Sequence, residues 1–355
     1  MSNTIGEKIK CTIFGQSHSK EIGVVIDGLP AGNKLDMDYI NSFMLRRSPG
    51  KNDISTARNE SDIPEIVSGV VEGITCGAPL CAVIKNTDCK SQDYEKIKSS
   101  PRPGHADYTA YIKSNGYNDI RGGGEYSGRL TAPLTFAGAV CCQILKEHGV
   151  KIGAHIYSIG DIEDEKIDML KPTYKLFSVC DNDFPTIEQA AALKMKRLIE
   201  DTKNDGDSIG GIIECAVVGF PCGYGEPMFG GVENKIASNI FGIPAVKGIE
   251  FGLGFDVSRK LGSENNDPYE IKDGVIVKKS NNSGGILGGI TDAAPIVFRV
   301  AVKPTPSIAK EQDTIDLSEG KNTKLTIEGR HDPCIVPRAV PVVEAVTAIT
   351  LINLL

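Results

Sequence analysis

The chain has 355 residues, enough for one large domain or two ordinary ones. Its formal net charge of −7 and pI of about 5.4 exclude whole-body attraction to nucleic acid or to an anionic membrane, so an anionic ligand has to meet basic residues gathered in one place. Ten cysteines with no CxxC pair and no zinc-like spacing read as reduced, buried thiols of a cytoplasmic protein, and 39 glycines point to tight turns and to loops whose backbone approaches a ligand.

Taken in chain order, Met1 to Lys10 is polar and mixed in charge, unlike a signal peptide. Lys8 to Phe14 alternates, with Ile9, Cys11 and Ile13 on one face, which predicts a strand running into the polar loop Gly15-Gln16-Ser17-His18-Ser19. Gly23 to Ile26 predicts a second strand, stopped by Asp27-Gly28-Leu29-Pro30. Asp36 is placed to cap a helix with Met37, Ile40 and Met44 on its apolar face and Pro49-Gly50 at its end. Arg46 and Arg47 in its last turn suit the helix dipole and also make a compact cationic patch. Val67 to Ile84 has strand character. A long loop then carries Arg102-Pro103-Gly104-His105-Ala106-Asp107 and Arg121-Gly122-Gly123-Gly124-Glu125-Tyr126-Ser127-Gly128-Arg129. The next helix presents Ala137, Val140, Cys141, Ile144 and Leu145 and stops at Gly149. Thr186-Ile187-Glu188-Gln189 fits a capping box, opening a helix to about Lys203. Ile212 to Val218, Val246 to Phe255 and Ile296 to Val302 read as strands, and Val232, Ile236 and Ile240 mark a helix. The Gly-rich stretch from Asn281 to Gly289 lies between the last two strands, and Arg299 and Lys303 share one face of the last. Ala339 to Leu355 is apolar but carries Pro341, Glu344 and Thr347, and reads as a buried helix rather than a membrane span. Strands and helices mix without βαβ alternation, which argues for an α+β fold. Val24-Val25-Ile26-Asp27-Gly28-Leu29-Pro30 echoes Val217-Val218-Gly219-Phe220-Pro221, a hint of two similar halves.

Three of the five histidines, His18, His105 and His331, sit in glycine- or proline-bearing loops, where proton-transfer groups are usually mounted. His148 and His155 flank a helix end and a strand start and read as structural or surface residues. Arg46, Arg47, Arg102, Arg121, Arg129, Arg330 and Arg338 cluster beside these loops, and guanidinium groups suit carboxylates and phosphates. Gly122 to Gly124 and Gly284 to Gly289 offer backbone N–H groups to an anion, although a glycine run is more often a turn than a cradle. Neither loop is a Walker loop or a dinucleotide fingerprint, and His331 with Cys334 is too thin for a zinc site. The residues alone therefore reach a site for an anionic small molecule, and do not name the reaction.

The motifs in order go further. Gly15-Gln16-Ser17-His18, Arg46-Arg47-Ser48-Pro49-Gly50, Arg102 to Asp107, Arg121 to Gly124 with Ser127 and Arg129, Asn282 to Gly289, Lys303-Pro304-Thr305-Pro306-Ser307 and Gly329-Arg330-His331-Asp332-Pro333-Cys334 resemble the successive signatures of the chorismate synthase family. The resemblance spans residues 15 to 334. It implies one domain over residues 1–355, a sandwich of helices and antiparallel sheet with two similar halves, assembled as a homotetramer that uses reduced FMN. The reaction it implies is elimination of phosphate from 5-enolpyruvylshikimate-3-phosphate without net redox change, with the flavin reduced by an outside partner because no nicotinamide fingerprint is visible. It assigns proton transfer to the departing phosphate to His18, a place against the flavin to His105, and a proton relay to Asp332, Ser17 and Ser127. Glu125, Tyr126, Ser127, Pro244, Ala245, Gly288, Lys303, Pro304, Thr305, Pro306, Ser307 and Arg330 fall at flavin-contact positions, and Arg46, Arg47, Arg129 and Arg338 at positions for the substrate's anionic groups. Three departures bear on contacts. Asp53 stands where many members carry arginine, Glu125-Tyr126 replaces Arg-Ser, and Gln16 replaces glutamate. Two rival readings are an ordinary flavin oxidoreductase and a binding protein for a phosphorylated metabolite, and the second has no use for a proton relay.

Overall fold

The computed structural model describes residues 3–50, 60, 62–87, 98–327 and 332–355. Its first half contains the strands β1 (Thr4–Ile5), β2 (Lys10–Phe14), β3 (Glu21–Asp27), β4 (Glu65–Ser68), β5 (Val70–Val71), β6 (Ile74–Thr75) and β7 (Leu80–Lys85), with helices α1 (Met37–Arg47), α2 (Asp107–Lys113) and α3 (Thr131–Glu147). The second half adds β8 (Lys151–Ile159), β9 (Ile162–Glu163), α4 (Thr173–Val179), α5 (Gln189–Asn204), β10 (Gly211–Val218), α6 (Val232–Ile240), β11 (Val246–Phe251) and α7 (Gly262–Asn265). Hairpin β12–β13 (Tyr269–Lys272, Val275–Lys278), hairpin β14–β15 (Ile286–Leu287, Ile290–Thr291), β16 (Ile296–Val302), hairpin β17–β18 (Gln312–Asp316, Lys321–Leu325) and α8 (Val336–Ile352) complete it.

Two five-stranded antiparallel sheets form the outer layers, ordered β1-β2-β3-β7-β4 and β11-β16-β10-β8-β9. Helix α3 packs on the first sheet, α8 on the second, and the two helices meet each other in the middle. Both are apolar nearly all round, as a helix covered on every side has to be. One hydrophobic cluster runs from Ile22 and Phe136 through Val346 to Phe298, so the two sheets share a single core. This is the expected α+β sandwich. No described helix is long and apolar enough to cross a membrane, and every described cysteine is free.

The echo between the two halves has a structural basis. The third strand of each sheet, β3 or β10, runs into a left-handed glycine, Gly28 at φ 88° or Gly219 at φ 78°. A Cβ there would stand 2.2 Å from the Lys8 carbonyl oxygen or 2.3 Å from that of Gly149, so no other residue fits either corner. The carbonyls of Pro30 and Pro221 each accept a 2.7 Å bond from a threonine hydroxyl, Thr75 and Thr291. Those hydroxyls in turn each accept 3.0 Å bonds from the N–H groups of Asn33 and Tyr224. Thr75 lies in hairpin β5–β6 and Thr291 in hairpin β14–β15, which have the same two-residue register. The Gly284 to Gly289 run is thus the second copy of a turn that the first half builds with Gly69 and Gly73.

Two local expectations are corrected. Glu188, not Thr186, is the residue before α5, and no side chain caps it. Asp164 instead accepts from the N–H groups of Ile187 at 2.6 Å and Glu188 at 2.9 Å, fixing the two residues that lead into the helix. The strand character of Val67 to Ile84 resolves into the end of β4, hairpin β5–β6 and β7, because Gly69, Gly73 and Gly77 turn the chain. The strand expected from Val246 to Phe255 ends at Phe251, where Gly252 and Gly254 take positive φ and open a 3₁₀ turn. The cap at Asp36 is as expected, its carboxylate accepting from the Tyr39 N–H at 3.0 Å.

Candidate active site

A cavity of about 640 Å³ opens where the end of α1, the loops before α2 and α3, the segment before β11, the residues after β16 and the start of α8 converge. Its size suits a cofactor and a small substrate together. Arg47, His105, Glu125, Tyr126, Ser127, Arg129, Pro244, Ala245, Lys303, Thr305, Pro306, Ser307, Asp332 and Arg338 all contribute to its wall.

His105 is held from behind. Asp107 opens α2, and its Oδ1 lies 2.6 Å from His105 Nδ1. A carboxylate only accepts, so Nδ1 donates to it, and a guanidinium only donates, so Nε2 accepts from Arg102 Nη2 at 3.3 Å. Arg102 grips the same carboxylate with Nε and Nη2, both at 2.7 Å. Burial alone would push the Asp107 carboxyl up, yet the hydrogen bonds from Arg102 and His105 hold it well below the usual carboxylate range. Arg102 also donates to the Ser307 hydroxyl at 3.2 Å, tying the α2 loop to the segment after β16. Lys303 Nζ donates to the Gly104 carbonyl across the same seam. Burial, with the charge of Lys247 beside it, lowers the Lys303 pKa.

The arginines form a second array. Arg47 donates from Nε to Thr131 Oγ1 at 3.0 Å, from Nη1 to Asp62 at 2.5 Å and from Nη2 to the Gly128 carbonyl at 2.9 Å. Arg129 donates to Asn86 Oδ1 at 2.9 Å, to Glu60 at 3.0 Å and to the second oxygen of Asp62. Arg338 donates to Asp332 and, at 3.0 Å, to the carbonyl of Arg47. Several guanidinium groups are thus fixed around one polar hollow, which is what recognition of carboxylate and phosphate requires.

Ser17 and His18 do not line the cavity. They stand behind Gly122, which does, and His18 Nδ1 is 3.3 Å from Ser17 Oγ. Gly122 to Gly124 take three successive positive φ values, and a Cβ at Gly122 would lie 2.4 Å from Ser17 Oγ and from the His18 ring. The glycine run therefore lets the imidazole lie against backbone one layer from the cavity. Arg46 points the other way, into the core, where Nη1 and Nη2 donate to Glu344 at 2.7 and 3.0 Å. Gly288 sits exposed on the β14–β15 turn, and Pro304 is not part of the wall. Arg299, expected to share a face with Lys303, pairs with Glu250 at 2.8 Å and lies over the Tyr157 ring, away from the cavity. Asp53, Arg330 and His331 lie outside the described residues.

Four contributors escaped sequence reasoning. Asp62 and Glu60 pair with Arg129 across 67 and 69 positions of chain, and an isolated acid in a polar loop carries no signal of such pairing. Lys247 follows a strand start and looks like any surface lysine. Asp107 stood within a recognised motif, and its five-residue separation from Arg102 was the available clue.

The donor set suits a phosphate-bearing flavin. Thr305 Oγ1 is buried against the cavity and, among the described residues, has no hydrogen-bond partner, so a polar group is missing from its surroundings. Lys303 and Lys247 supply cations beside it, while Ile243, Pro244, Ala245 and Pro306 offer an apolar wall to a ring system.

The chain resembles known proteins over nearly its whole length. The family model described as chorismate synthase matches residues 9–355. A chorismate synthase of Dehalococcoides mccartyi is 46% identical over 354 residues, covering 100% of this chain and 96% of the relative. One of Pyrococcus abyssi is 48% identical over 348 residues, covering 98% and 95%. A crystal structure of chorismate synthase superposes with a TM-score of 0.78 at 31% identity, covering 98% of this chain and 92% of that one.

Proposed function

The chain belongs to the chorismate synthase family, and from that premise we propose that the cavity between Arg47, His105, Lys303 and Asp332 is where it holds reduced FMN and substrate. The enzyme is a carbon–oxygen lyase that removes phosphate and a proton from 5-enolpyruvylshikimate-3-phosphate by 1,4-anti elimination, giving chorismate on the route to aromatic amino acids. Its cofactor is reduced FMN, as throughout the family. When bound, reduced FMN lends electron density to the substrate and takes it back, so that no net redox change results.

The chain's own residues then divide the remaining work. Lys303, Lys247 and Thr305 meet the cofactor phosphate, and Pro244, Ala245 and Pro306 shape the wall for its ring, with Glu125, Tyr126, Ser127 and Ser307 along the rim; Pro304, outside the wall, stays in the flavin set on the family resemblance alone. Gly288 and Arg330 stay in the flavin set on the family resemblance alone. Arg47, Arg129 and Arg338 hold the substrate's carboxylates and phosphate. Arg46, engaged by Glu344, is left out of that set. His18, with Ser17 beside it, keeps the role of proton donor to the departing phosphate on the family resemblance alone, since the Gly122 backbone stands between it and the cavity. His105, with Nδ1 committed to Asp107, holds or exchanges a proton at Nε2, and Asp332 with Ser127 moves the proton that leaves the ring.

The observation that carries this reading is the convergence in one cavity of motifs from residues 47, 105, 127, 245, 303 and 332, which are distant in sequence. Anaerobic incubation of the protein with the substrate and chemically reduced FMN tests it. Phosphate and chorismate should appear together, with neither formed when the flavin is left oxidised, and Lys303→Ala should weaken FMN binding. Unchanged FMN affinity in that variant would place the cofactor elsewhere.

Three further points belong to the same proposal. Residues 1–355 act as one domain, since the two sheets share one core. The flavin is reduced by a separate cytoplasmic reductant. The enzyme works as a homotetramer, for which the exposed Phe229, Phe255, Leu261, Ile271 and Ile276 supply apolar surface. Light scattering of the purified protein decides the last point.

A further inference from the structure

Asp62 takes no part in the sequence signatures of the family, yet it is the most enclosed charge of the site. It is 2% exposed, and its side chain is fully covered. Its two oxygens are divided between two arginines. Oδ2 accepts from Arg47 Nη1 at 2.5 Å and from the Ser48 hydroxyl at 3.2 Å, while Oδ1 accepts from Arg129 Nη1. Both guanidinium groups line the cavity, and Asp62 does not. Two cations side by side repel each other, and a single carboxylate behind them offsets that repulsion while fixing their separation. The backbone at Asp62 has φ 48°, a conformation that few residues besides glycine adopt but that Asp and Asn tolerate. The chain accepts that strained turn at a position whose side chain spans the two arginines.

We propose that Asp62 is a positioning residue for substrate recognition: it holds Arg47 and Arg129 at the spacing needed to bind the two-anion face of the substrate, and does not act on the flavin. The proposal rests on the reading that this cavity holds the substrate. The remaining acceptors agree with it. Thr131 Oγ1 and the Gly128 carbonyl fix Arg47, while Asn86 Oδ1, Glu60 and the Lys85 carbonyl fix Arg129, so each guanidinium is clamped on several edges and, among the described residues, Asp62 is the one group common to both. Asp332 orients Arg338, which reaches the Arg47 carbonyl, so the third arginine is set by a different acid.

The test compares Asp62→Asn with wild type. Asn keeps the shape and tolerates the left-handed backbone, and it removes the charge. The substrate KM should rise about tenfold or more, with kcat within about threefold and the affinity for oxidised FMN, read by flavin fluorescence, unchanged. Ser48→Ala removes the 3.2 Å hydroxyl contact on Asp62, together with the 3.1 Å bond to the Met44 carbonyl, and should raise KM in the same direction by a smaller factor, which keeps the test informative if Asp62→Asn folds poorly. An unchanged KM in Asp62→Asn overturns the proposal. So does a parallel loss of kcat, FMN affinity and melting temperature, the signature of a structural role alone. Arg47→Lys separates the two levels of inference. If it also leaves KM unchanged, the cavity is not the substrate site. If it raises KM while Asp62→Asn does not, the site stands and only the role of Asp62 is lost.

Discussion

At the scale of single residues, the site works by partners that fix each functional group. His105 presents one defined nitrogen because Asp107 takes the other, and Asp107 keeps its charge because Arg102 grips it. In Asp107→Asn the amide can donate as well as accept, so the imidazole tautomer is no longer set. We expect kcat to fall by about 10²-fold, the lower end of what acid–base catalysis contributes, with FMN affinity within about threefold. Steady-state kinetics beside a flavin titration checks this, and a kcat near wild type would remove His105 from proton transfer. Thr305 makes an opposite kind of prediction. Its hydroxyl is buried and, among the described residues, has no partner, so Thr305→Val should leave the melting temperature of the flavin-free protein unchanged or raise it. If the hydroxyl meets the cofactor, the same change should weaken FMN binding by about 1 kcal/mol, roughly fivefold in Kd. Much of this was legible in sequence, because His105, Thr305 and the arginines stood in recognisable motifs. Asp62 and Lys247 did not, since ion pairing across distant chain segments leaves no local pattern.

At the scale of elements, α3 and α8 decide how closely the two halves approach. Gly138 is the contact point, where a Cβ would stand 2.2 Å from that of Ala345 and 2.3 Å from its Cα. In isolation a helix gains about 1 kcal/mol from Gly→Ala. Here the clash is with backbone and cannot be relieved by a rotamer change. Gly138→Ala should therefore destabilise the protein, by about 1 to 3 kcal/mol as overpacking does, and a urea melt would show it. A neutral or stabilising result would mean that the helices can slide apart. The apolar periodicity of α3 was readable, and so was its stop at Gly149. The anchoring of the segment before α5 was not, because Asp164 reaches Ile187 and Glu188 from beyond β9.

At the scale of the whole molecule, His155 gives the fold its clearest pH signature. It is fully buried in β8, with Nδ1 3.1 Å from Asp164 and Nε2 3.1 Å from Glu214. Burial opposes its charge, but the hydrogen bonds to Asp164 and Glu214 prevail and raise its pKa above the ordinary value of 6.5. A raised folded pKa contributes stability that is fully present below about pH 6.5 and is lost as pH rises through the folded value. Urea midpoints measured from pH 6 upward should decline across that window in wild type. The slope should flatten in His155→Gln, and an identical slope in both would show that His155 is neutral when folded. Sequence reading placed His155 outside the active site, and its position away from the cavity agrees. It did not reveal the carboxylates on either side, 9 and 59 residues away.

The sequence by itself determined the order of elements, the α+β class, the echo of one half in the other and the family, because these depend on local periodicity, turn chemistry and ordered motifs. Only the tertiary structure decided which arginines face the cavity and which faces the core, as Arg47 and Arg46 do from adjacent positions on one helix. Helical rotation of about 100° per residue sends neighbours to different partners, and nothing local says that Glu344 waits on one side and Asp62 on the other. It likewise resolved the glycine runs, assigning Gly122 to close packing on His18 and Gly284 to Gly289 to a repeated turn, a distinction that depends on what stands opposite each backbone.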